Sequence, residues 1–217
     1  MEQTLLTDRQ RAVLLAVSHE PGLAEYYLSG GTALSAYHFQ HRISDDLDFF
    51  TVNPPDKQFL LSFVQKLRGE LNAQDVRFEH LYDRNLYFLT FADGYELKLE
   101  FTRYPFPRLD PSAPQNGMVI DSLRDIAANK LMAMLDRFDP KDFVDMYFLL
   151  QERKLDDVRA DAQKKFAVKI SEVFLGGELA KVSRVEALPK MLKPLTVPEL
   201  KRFFSERARE LAPSVLL

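Results

Sequence analysis

The sequence predicts an α+β (α/β) fold, with a mixed β-sheet lobe over residues 1–104 followed by a helical C-terminal lobe over 105–217, packed as a single compact unit. Three observations predict it. Helical and two-residue hydrophobic periods alternate up to about residue 104, residues 103–117 hold four prolines, and the remaining chain has helical patterning. A composition of 46% hydrophobic and 28% charged residues is that of an ordinary globular protein.

The first lobe begins with a helix, because Thr7 and Gln10 have the spacing of a capping box. A short apolar strand, a glycine turn and a second helix follow. After a proline-terminated alternating strand, residues 56–71 carry apolar positions at helical spacing, and Asp93-Gly94 then joins two alternating strands as a hairpin turn. The predicted elements, in order, are a helix at 8–19, a strand at 26–28, a helix at 33–41, a strand at 44–52, a helix at 56–71, and strands at 76–79, 86–91 and 95–101.

The second lobe follows a linker or wrapped loop at 103–117. Ser122 with Asp125 indicates a helix to about residue 138, and Asp139-Pro140 begins another to about residue 151. Residues 152–195 are predicted to be helical with weak periodicity. Thr196 opens a last helix with Glu199 three residues on.

Charge and composition exclude several classes of protein. There is no cysteine, so disulfides, thiolate metal sites and cysteine nucleophiles are excluded. The formal net charge of −3 gives no overall attraction to nucleic acid, although a local basic patch is compatible with it. The start of the chain lacks the pattern of a signal peptide, and no apolar stretch approaches about 20 residues. We therefore expect a cytoplasmic protein with no membrane partner.

Two carboxylates and a glycine turn form the sharpest pattern. Asp46 and Asp48 flank Leu47 on a predicted strand, so both carboxylates project from one face. Such carboxylates repel one another, and a divalent cation such as Mg²⁺ or Mn²⁺ relieves the repulsion. The turn at residues 29–32 lets backbone N–H groups approach phosphate oxygens. The pattern predicts a site for a nucleoside triphosphate (NTP) and metals; the alternatives are a plain turn and a solvated strand edge.

A third acid is expected if two metals are bound, and the strand at 95–101 offers Glu100. Glu96, Lys98 and Glu100 share one face of that strand. The alternative is a solvent-facing strand of alternating charge, and only pairing with the Asp-Leu-Asp strand decides between the two.

Two residues of the helical lobe are further candidates. Lys130 falls on the apolar stripe of its helix, so it either extends to solvent at the helix edge or points into a polar cleft toward phosphates. Asp142 lies in the first turn of the next helix, where capping is the alternative explanation.

Four motifs in order resemble one family. The segments SGGTAL (29–34), HRISDDLDFF (41–50), LKLEF (97–101) and AANKLMAMLDRFDPKDFVDMYFLL (127–150) are similar to those of the AbiEii/AbiGii abortive-infection nucleotidyltransferase toxins, a branch of the polymerase-β-like superfamily. The likeness covers roughly residues 25–150, and the C-terminal residues carry no matching motif. Lys141 stands where Arg is common in the family, a mild departure because Lys makes no bidentate contacts.

The resemblance implies a minimal nucleotidyltransferase fold and a set of site residues. The implied metal ligands are Asp46, Asp48 and Glu100, and the implied catalytic residues are these three with Lys130 and Asp142. The implied nucleotide-binding residues are Ser29, Gly30, Gly31, Thr32, Arg42 and Lys130. In the family, the toxin is often paired with a separately encoded antitoxin.

The predicted reaction is metal-dependent transfer of a nucleotidyl group from an NTP to an acceptor, with RNA or tRNA as the expected acceptor and Glu100 as a candidate to activate its hydroxyl. Lysine- and arginine-rich stretches at 163–169 and 201–209 favour RNA slightly, although solvated helix faces also produce them. The alternatives are a stand-alone enzyme that modifies an antibiotic or metabolite, and a catalytically silent nucleotide-binding module.

Overall fold

The computed structural model describes residues 5–115 and 117–211. Its backbone contacts divide the chain into two units. The first comprises the chain up to His38, Ser44–Pro107 and Pro111–Ser122, and the second comprises Phe39–Ile43, Arg108–Asp110 and the chain from Leu123 onward. The predicted boundary after residue 104 thus falls inside a segment of the first unit, and the packing of both parts as one compact unit stays a prediction.

The first unit is built on a mixed β-sheet. Its strands in the described residues are β1 (Tyr27–Ser29), β2 (Leu47–Thr51), β3 (Asp75–Leu81), β4 (Arg84–Thr90), β5 (Glu96–Arg103), β6 (Ala113–Gln115) and β7 (Met118–Ile120). They lie in the order β3-β4-β5-β2-β1-β7-β6. The pairs β2–β5 and β1–β7 are parallel and the other neighbours are antiparallel. The predicted mixed α/β fold is confirmed.

In the described residues, three α-helices belong mainly to the first unit. Helix α1 (Asp8–His19) begins after Thr7, which forms the predicted capping box with Gln10. Helix α2 (Gly30–Ala33) starts at the first glycine of the turn and continues as a π-helical stretch through Phe39. Helix α3 (Lys57–Glu70) is capped by Asp56 and buries one apolar face. The glycine turn is therefore the first turn of a helix and not a loop before it.

Aromatic packing fixes β2 and β5 beside each other in the first unit. The Phe101 ring of β5 stacks on Phe49 of β2 with ring centroids 5.0 Å apart. Tyr26, Phe63 and Tyr87 meet Phe101 edge to face. Offset and edge-to-face ring pairs contribute about 0.5–1.5 kcal/mol each beyond the area that they bury. Because alternate residues of these strands enter this core, the polar residues between them are directed to the opposite face of the sheet.

The second unit is helical. Its helices in the described residues are α4 (Leu123–Asp136), α5 (Pro140–Glu152), α6 (Leu155–Phe166), α7 (Glu172–Ala180) and α8 (Val197–Glu210). Asp139 caps α5, and Thr196 forms the predicted capping box with Glu199 at the start of α8. Phe143 of α5 meets Phe204 of α8 edge to face at 5.3 Å in the core of this unit.

Several local predictions were wrong. The proline-rich segment contains β6, where a loop was predicted, and β7 follows directly after this segment without having been predicted. The strand predicted from residue 44 begins at Leu47, so Asp46 immediately precedes it. Residues 152–195 are helical only in part, because no helix runs between the 3₁₀ turn at Lys181–Arg184 and α8. Within residues 5–115 and 117–211, no helix has both the length and the apolar character needed to cross a membrane.

Candidate functional site

An acid cluster lies on the polar face of β2 and β5. Asp48 is the register partner of Ser29 on β1 and of Glu100 on β5, so sheet pairing places the glycine turn, the Asp-Leu-Asp segment and the third acid side by side. The pairing of the LKLEF strand with the Asp-Leu-Asp strand was the condition for a shared site, and this pairing is confirmed. The side chains of Asp46, Asp48 and Glu100 are 43%, 21% and 6% exposed.

Two cationic side chains hold the acid cluster together. The Lys98 ammonium lies 3.3 Å from Asp46 Oδ2, 3.9 Å from Asp48 Oδ1 and 3.3 Å from Glu100 Oε2. Arg84 of β4 donates two hydrogen bonds to Glu100, at 2.6 and 2.7 Å. Burial alone lowers the pKa of Lys98, but the three carboxylates outweigh it and raise that pKa. Burial raises the pKa of Glu100, and the Arg84 hydrogen bonds with the Lys98 charge outweigh this and lower it.

The glycine turn is shaped to fit around Asp48. Gly30 has φ +70°, and a Cβ built on it would overlap Asp48 Oδ2. A side chain is therefore excluded twice, by the backbone conformation and by the carboxylate. Thr32 donates a hydrogen bond from its hydroxyl to the backbone carbonyl of Asp46. Ser29, which is buried, donates a hydrogen bond of 2.7 Å to the Asp121 carboxylate. These contacts fix the backbone that carries both aspartates.

A second charged cluster is buried in the helical unit around Asp145, which the sequence did not single out as a site residue. Arg42 donates to both Asp145 oxygens, at 2.6 and 2.8 Å, and Lys130 Nζ lies 2.5 Å from Oδ2. Lys130 also donates to Asp142 at 3.0 Å, and Asp142 accepts from Arg137 at 3.0 Å. The Lys130 ammonium is thus paired with two carboxylates and does not extend into solvent. Asp142 is an ion-pair partner, and Asp139 is the helix cap.

Electrostatics in the second cluster follow from its burial. Burial raises the pKa of Asp145, but the charges of Lys130 and Arg42 outweigh it and hold that pKa well below its usual value. Burial lowers the pKa of His41 despite its contact with Asp145. Because an ionised Asp145 only accepts hydrogen bonds, His41 Nε2, 2.8 Å from Asp145 Oδ1, is the protonated ring nitrogen. In the described part of the chain, His41 Nδ1 is buried and has no hydrogen-bond partner.

The predicted site residues fall into these two clusters, one in each unit. The first unit holds Ser29, Gly30, Gly31, Thr32, Asp46, Asp48 and Glu100, and the second holds Arg42, Lys130 and Asp142. Their roles stay predictions. Arg84 and Asp145 were missed, because their partners lie 16 and 103 residues away in sequence and no local pattern signals such pairs.

The donor chemistry of the acid cluster fits a divalent metal in part. In the described residues, no three His, Asp or Glu side chains already converge as a metal site. Asp46 and Asp48 are nevertheless partly exposed carboxylates within 4 Å of one cation, Lys98, as the distances 3.3 and 3.9 Å show. Such oxygen donors are those that Mg²⁺ and Mn²⁺ prefer. The aspartate pair therefore fits a hard divalent cation, whereas Glu100 is already occupied by its ion pairs.

Comparisons with known proteins identify related sequences. A family model described as nucleotidyl transferase AbiEii toxin of a type IV toxin–antitoxin (TA) system matches residues 12–213. The uncharacterized protein aq_aa25 of Aquifex aeolicus (strain VF5) is 36% identical over 134 residues. The matched segment covers 61% of this chain and 61% of the length of that relative.

Solved structures of low sequence identity share the fold. A Helicobacter pylori protein presumed to be a nucleotidyltransferase matches with a TM-score of 0.65 and 19% identity over 97% of each chain. JHP933 from Helicobacter pylori matches with a TM-score of 0.59 and 19% identity, covering 95% of this chain and 90% of the other. MenT4, nucleotidyltransferase toxin Rv2826c from Mycobacterium tuberculosis H37Rv, matches with a TM-score of 0.51 and 14% identity over 91% and 79%.

The family match covers most of the chain, and its residues include all four motifs and both charged clusters. The chain therefore belongs to the AbiEii nucleotidyltransferase toxin family.

Proposed function

We propose that this protein is a metal-dependent nucleotidyltransferase that acts as the toxin of a toxin–antitoxin pair. The observation that carries the proposal is the placement of Asp46 and Asp48, both partly exposed, beside a positive-φ glycine that approaches Asp48 without a Cβ. Family membership supports the same conclusion. An NTP substrate also supports a cytoplasmic location.

In the proposed reaction, an acceptor oxygen attacks the α-phosphorus of the NTP. A P–O bond forms to the acceptor as its hydroxyl releases a proton to solvent water, the bond to the β-phosphate oxygen breaks, and pyrophosphate leaves with that electron pair. A divalent cation, when bound, stabilises the negative charge that develops on the phosphoryl oxygens. Asp46 and Asp48 would hold it. Glu100 was predicted as a third metal ligand, but its carboxylate is already paired with Arg84 and Lys98.

The nucleotide-binding residues have separate proposed tasks. Gly30 and Gly31 leave the backbone open to phosphate oxygens, since no Cβ shields their N–H groups. Ser29 and Thr32 anchor this turn through the contacts described above. For the residues of the second unit the proposal rests on the family motif: Arg42 and Lys130 are proposed to bind the triphosphate, and Asp142 is proposed as a catalytic residue near the nucleotide.

The acceptor is proposed to be an RNA or tRNA hydroxyl. One of the two basic stretches gives less support than its sequence suggested, because Lys165 is buried in an ion pair with Asp125 at 2.6 Å. Exposed cations remain at Lys164, Lys169 and Arg202. The family name supports a separately encoded antitoxin as a partner. A small-molecule acceptor and a silent binding module remain the competing functions, and the experiment below separates them.

The test is label transfer from each of the four α-³²P NTPs, with Mg²⁺ or Mn²⁺, to total RNA, cell protein or a small-molecule extract. The variant Asp46→Asn/Asp48→Asn removes two charges while keeping side-chain size. The matched control Asp75→Asn/Asp83→Asn makes the same change at exposed acids of the first unit. We expect RNA label with the wild type and the control alone. Label in small molecules would replace the RNA proposal, and no label in any fraction would favour the silent module.

A further inference from the structure

Lys98 occupies the centre of the acid cluster. Its ammonium lies within 4 Å of all three carboxylates, at 3.3 Å from Asp46 and Glu100 and 3.9 Å from Asp48. The side chain is 22% exposed, and it projects from β5 on the same face as Glu100, two residues along. An ammonium in this position takes the place that a cation bridging Asp46 and Glu100 would need.

The Glu100 carboxylate already has a donor or cation at each of its lone-pair positions. An ionised carboxylate offers about four lone-pair positions. Oε1 accepts from Arg84 Nε at 2.6 Å and from the Thr102 hydroxyl at 2.8 Å. Oε2 accepts from Arg84 Nη2 at 2.7 Å and faces the Lys98 ammonium at 3.3 Å. A metal ion could gain Glu100 only by displacing one of these donors, two of which form a bidentate arginine pair.

The formal charges of the cluster also favour a single bound metal ion. In the described part of the chain, the three carboxylates form ion pairs with Lys98 and Arg84, and these five groups together carry one net negative charge. One bound divalent ion therefore makes the net charge of the cluster positive. A second would join a site that is already positive, within contact distance of an ammonium, and like charges at that distance repel strongly.

We propose that Lys98 replaces the second divalent cation of the site, so that the chain binds one metal ion through Asp46 and Asp48 while Glu100 holds Lys98 and Arg84. This inference rests on the proposed function, because the single ion is the one assigned there to the aspartate pair. Lys98 is thus a positioning residue that sets the number of metals.

The test counts Mn²⁺ bound per chain at saturation, by electron paramagnetic resonance of the free ion and by calorimetry, with Mn²⁺ alone as the probe. Three variants are compared with the wild type. Lys98→Met removes the ammonium and Lys98→Arg keeps a cation. Lys66→Met is the matched control, because it removes one positive charge from an exposed position on α3. Circular dichroism of each variant checks that it is folded.

The expected counts are one Mn²⁺ for the wild type, Lys98→Arg and Lys66→Met, and two for Lys98→Met. Loss of structure would lower the number of bound Mn²⁺ ions, so it cannot explain an increase in Lys98→Met. Two Mn²⁺ on the wild type would overturn the inference and leave the proposed function standing, and so would one Mn²⁺ on folded Lys98→Met. No Mn²⁺ on the wild type would overturn both. If Lys98→Met does not fold, the number of Mn²⁺ ions bound by the wild type can still overturn the inference.

Discussion

Replacing Asp145 with Asn is expected to destabilise the helical unit strongly, because its carboxylate is the common anion of a fully buried cluster. The side chain is 0% exposed, and it faces Arg42 at 2.6 Å and Lys130 at 2.5 Å. Asn keeps the shape but cannot balance these cations. Leaving one charge of a buried pair unmatched costs about 3–5 kcal/mol. Lys130 retains Asp142, so the loss falls mainly on Arg42, and we expect about 4 kcal/mol.

The assay is thermal and urea unfolding followed by circular dichroism. For a chain of this length, about 1 kcal/mol changes Tm by roughly 2–4 °C, so the expected drop is on the order of 10 °C. Asp156→Asn, at an exposed acid of α6, is the matched control and is expected to change Tm little. A drop no larger than that of the control would refute the reasoning that Asp145 anchors the cluster.

The same substitution has a signature in pH. Burial raises the pKa of Asp145, but Lys130 and Arg42 outweigh it, so the folded pKa lies well below the ordinary value of 3.8. As pH falls, the unfolded chain binds this proton first, and the stabilisation present above about pH 4 is lost toward the folded pKa. The lowered pKa of His41 acts in the same direction at higher pH. Below about pH 4, wild-type stability should therefore fall more steeply than that of Asp145→Asn, and equal slopes would contradict the account.

Two further predictions concern Gly30 and Lys165. Gly30→Ala forces a Cβ toward Asp48 and keeps φ at +70°, so we expect about 1–2 kcal/mol of destabilisation and loss of label transfer. Gly94→Ala, at φ +78° with nothing within 4 Å of its Cβ, should lose less stability, because only its backbone conformation opposes a side chain, and it should keep the activity; an active Gly30→Ala would contradict this. Lys165→Met removes one partner of a buried pair with Asp125, at 2.6 Å, and should cost about 3 kcal/mol in urea unfolding; a neutral effect would show that the pair contributes nothing.

Much of the fold was accessible to sequence because its signals are local. The capping boxes at Thr7 and Thr196 and the alternation of the LKLEF strand depend only on residues a few positions apart. The short strands β6 and β7 were not accessible in this way. They are three residues long and one contains Pro114, so their local signals are weak, and β7 is held in the sheet by pairing with β1.

In the candidate site, too, the residues with local sequence signals were predicted and those without such signals were not. Asp46 and Asp48 were found from a two-residue spacing, and Glu100 from a strand pattern that needed sheet pairing to become meaningful. Two of the ion pairs could not be predicted, since Arg84 reaches Glu100 across strands and Arg42 reaches Asp145 from 103 residues away. Sequence patterns pointed to the acids of the first cluster and to Lys98 on the same strand face as Glu100, whereas the pairing of these charges depends on tertiary structure.

The central claim is that Asp46 and Asp48 support transfer of a nucleotidyl group. The most direct measurement incubates the wild type and Asp46→Asn/Asp48→Asn with α-³²P or γ-³²P NTP, a divalent metal and total RNA, and follows both labels. The account predicts that the wild type transfers the α label to the acceptor and releases the γ label as pyrophosphate, and that the double variant does neither. Transfer of the γ label to the acceptor, or equal transfer by the double variant, would contradict it.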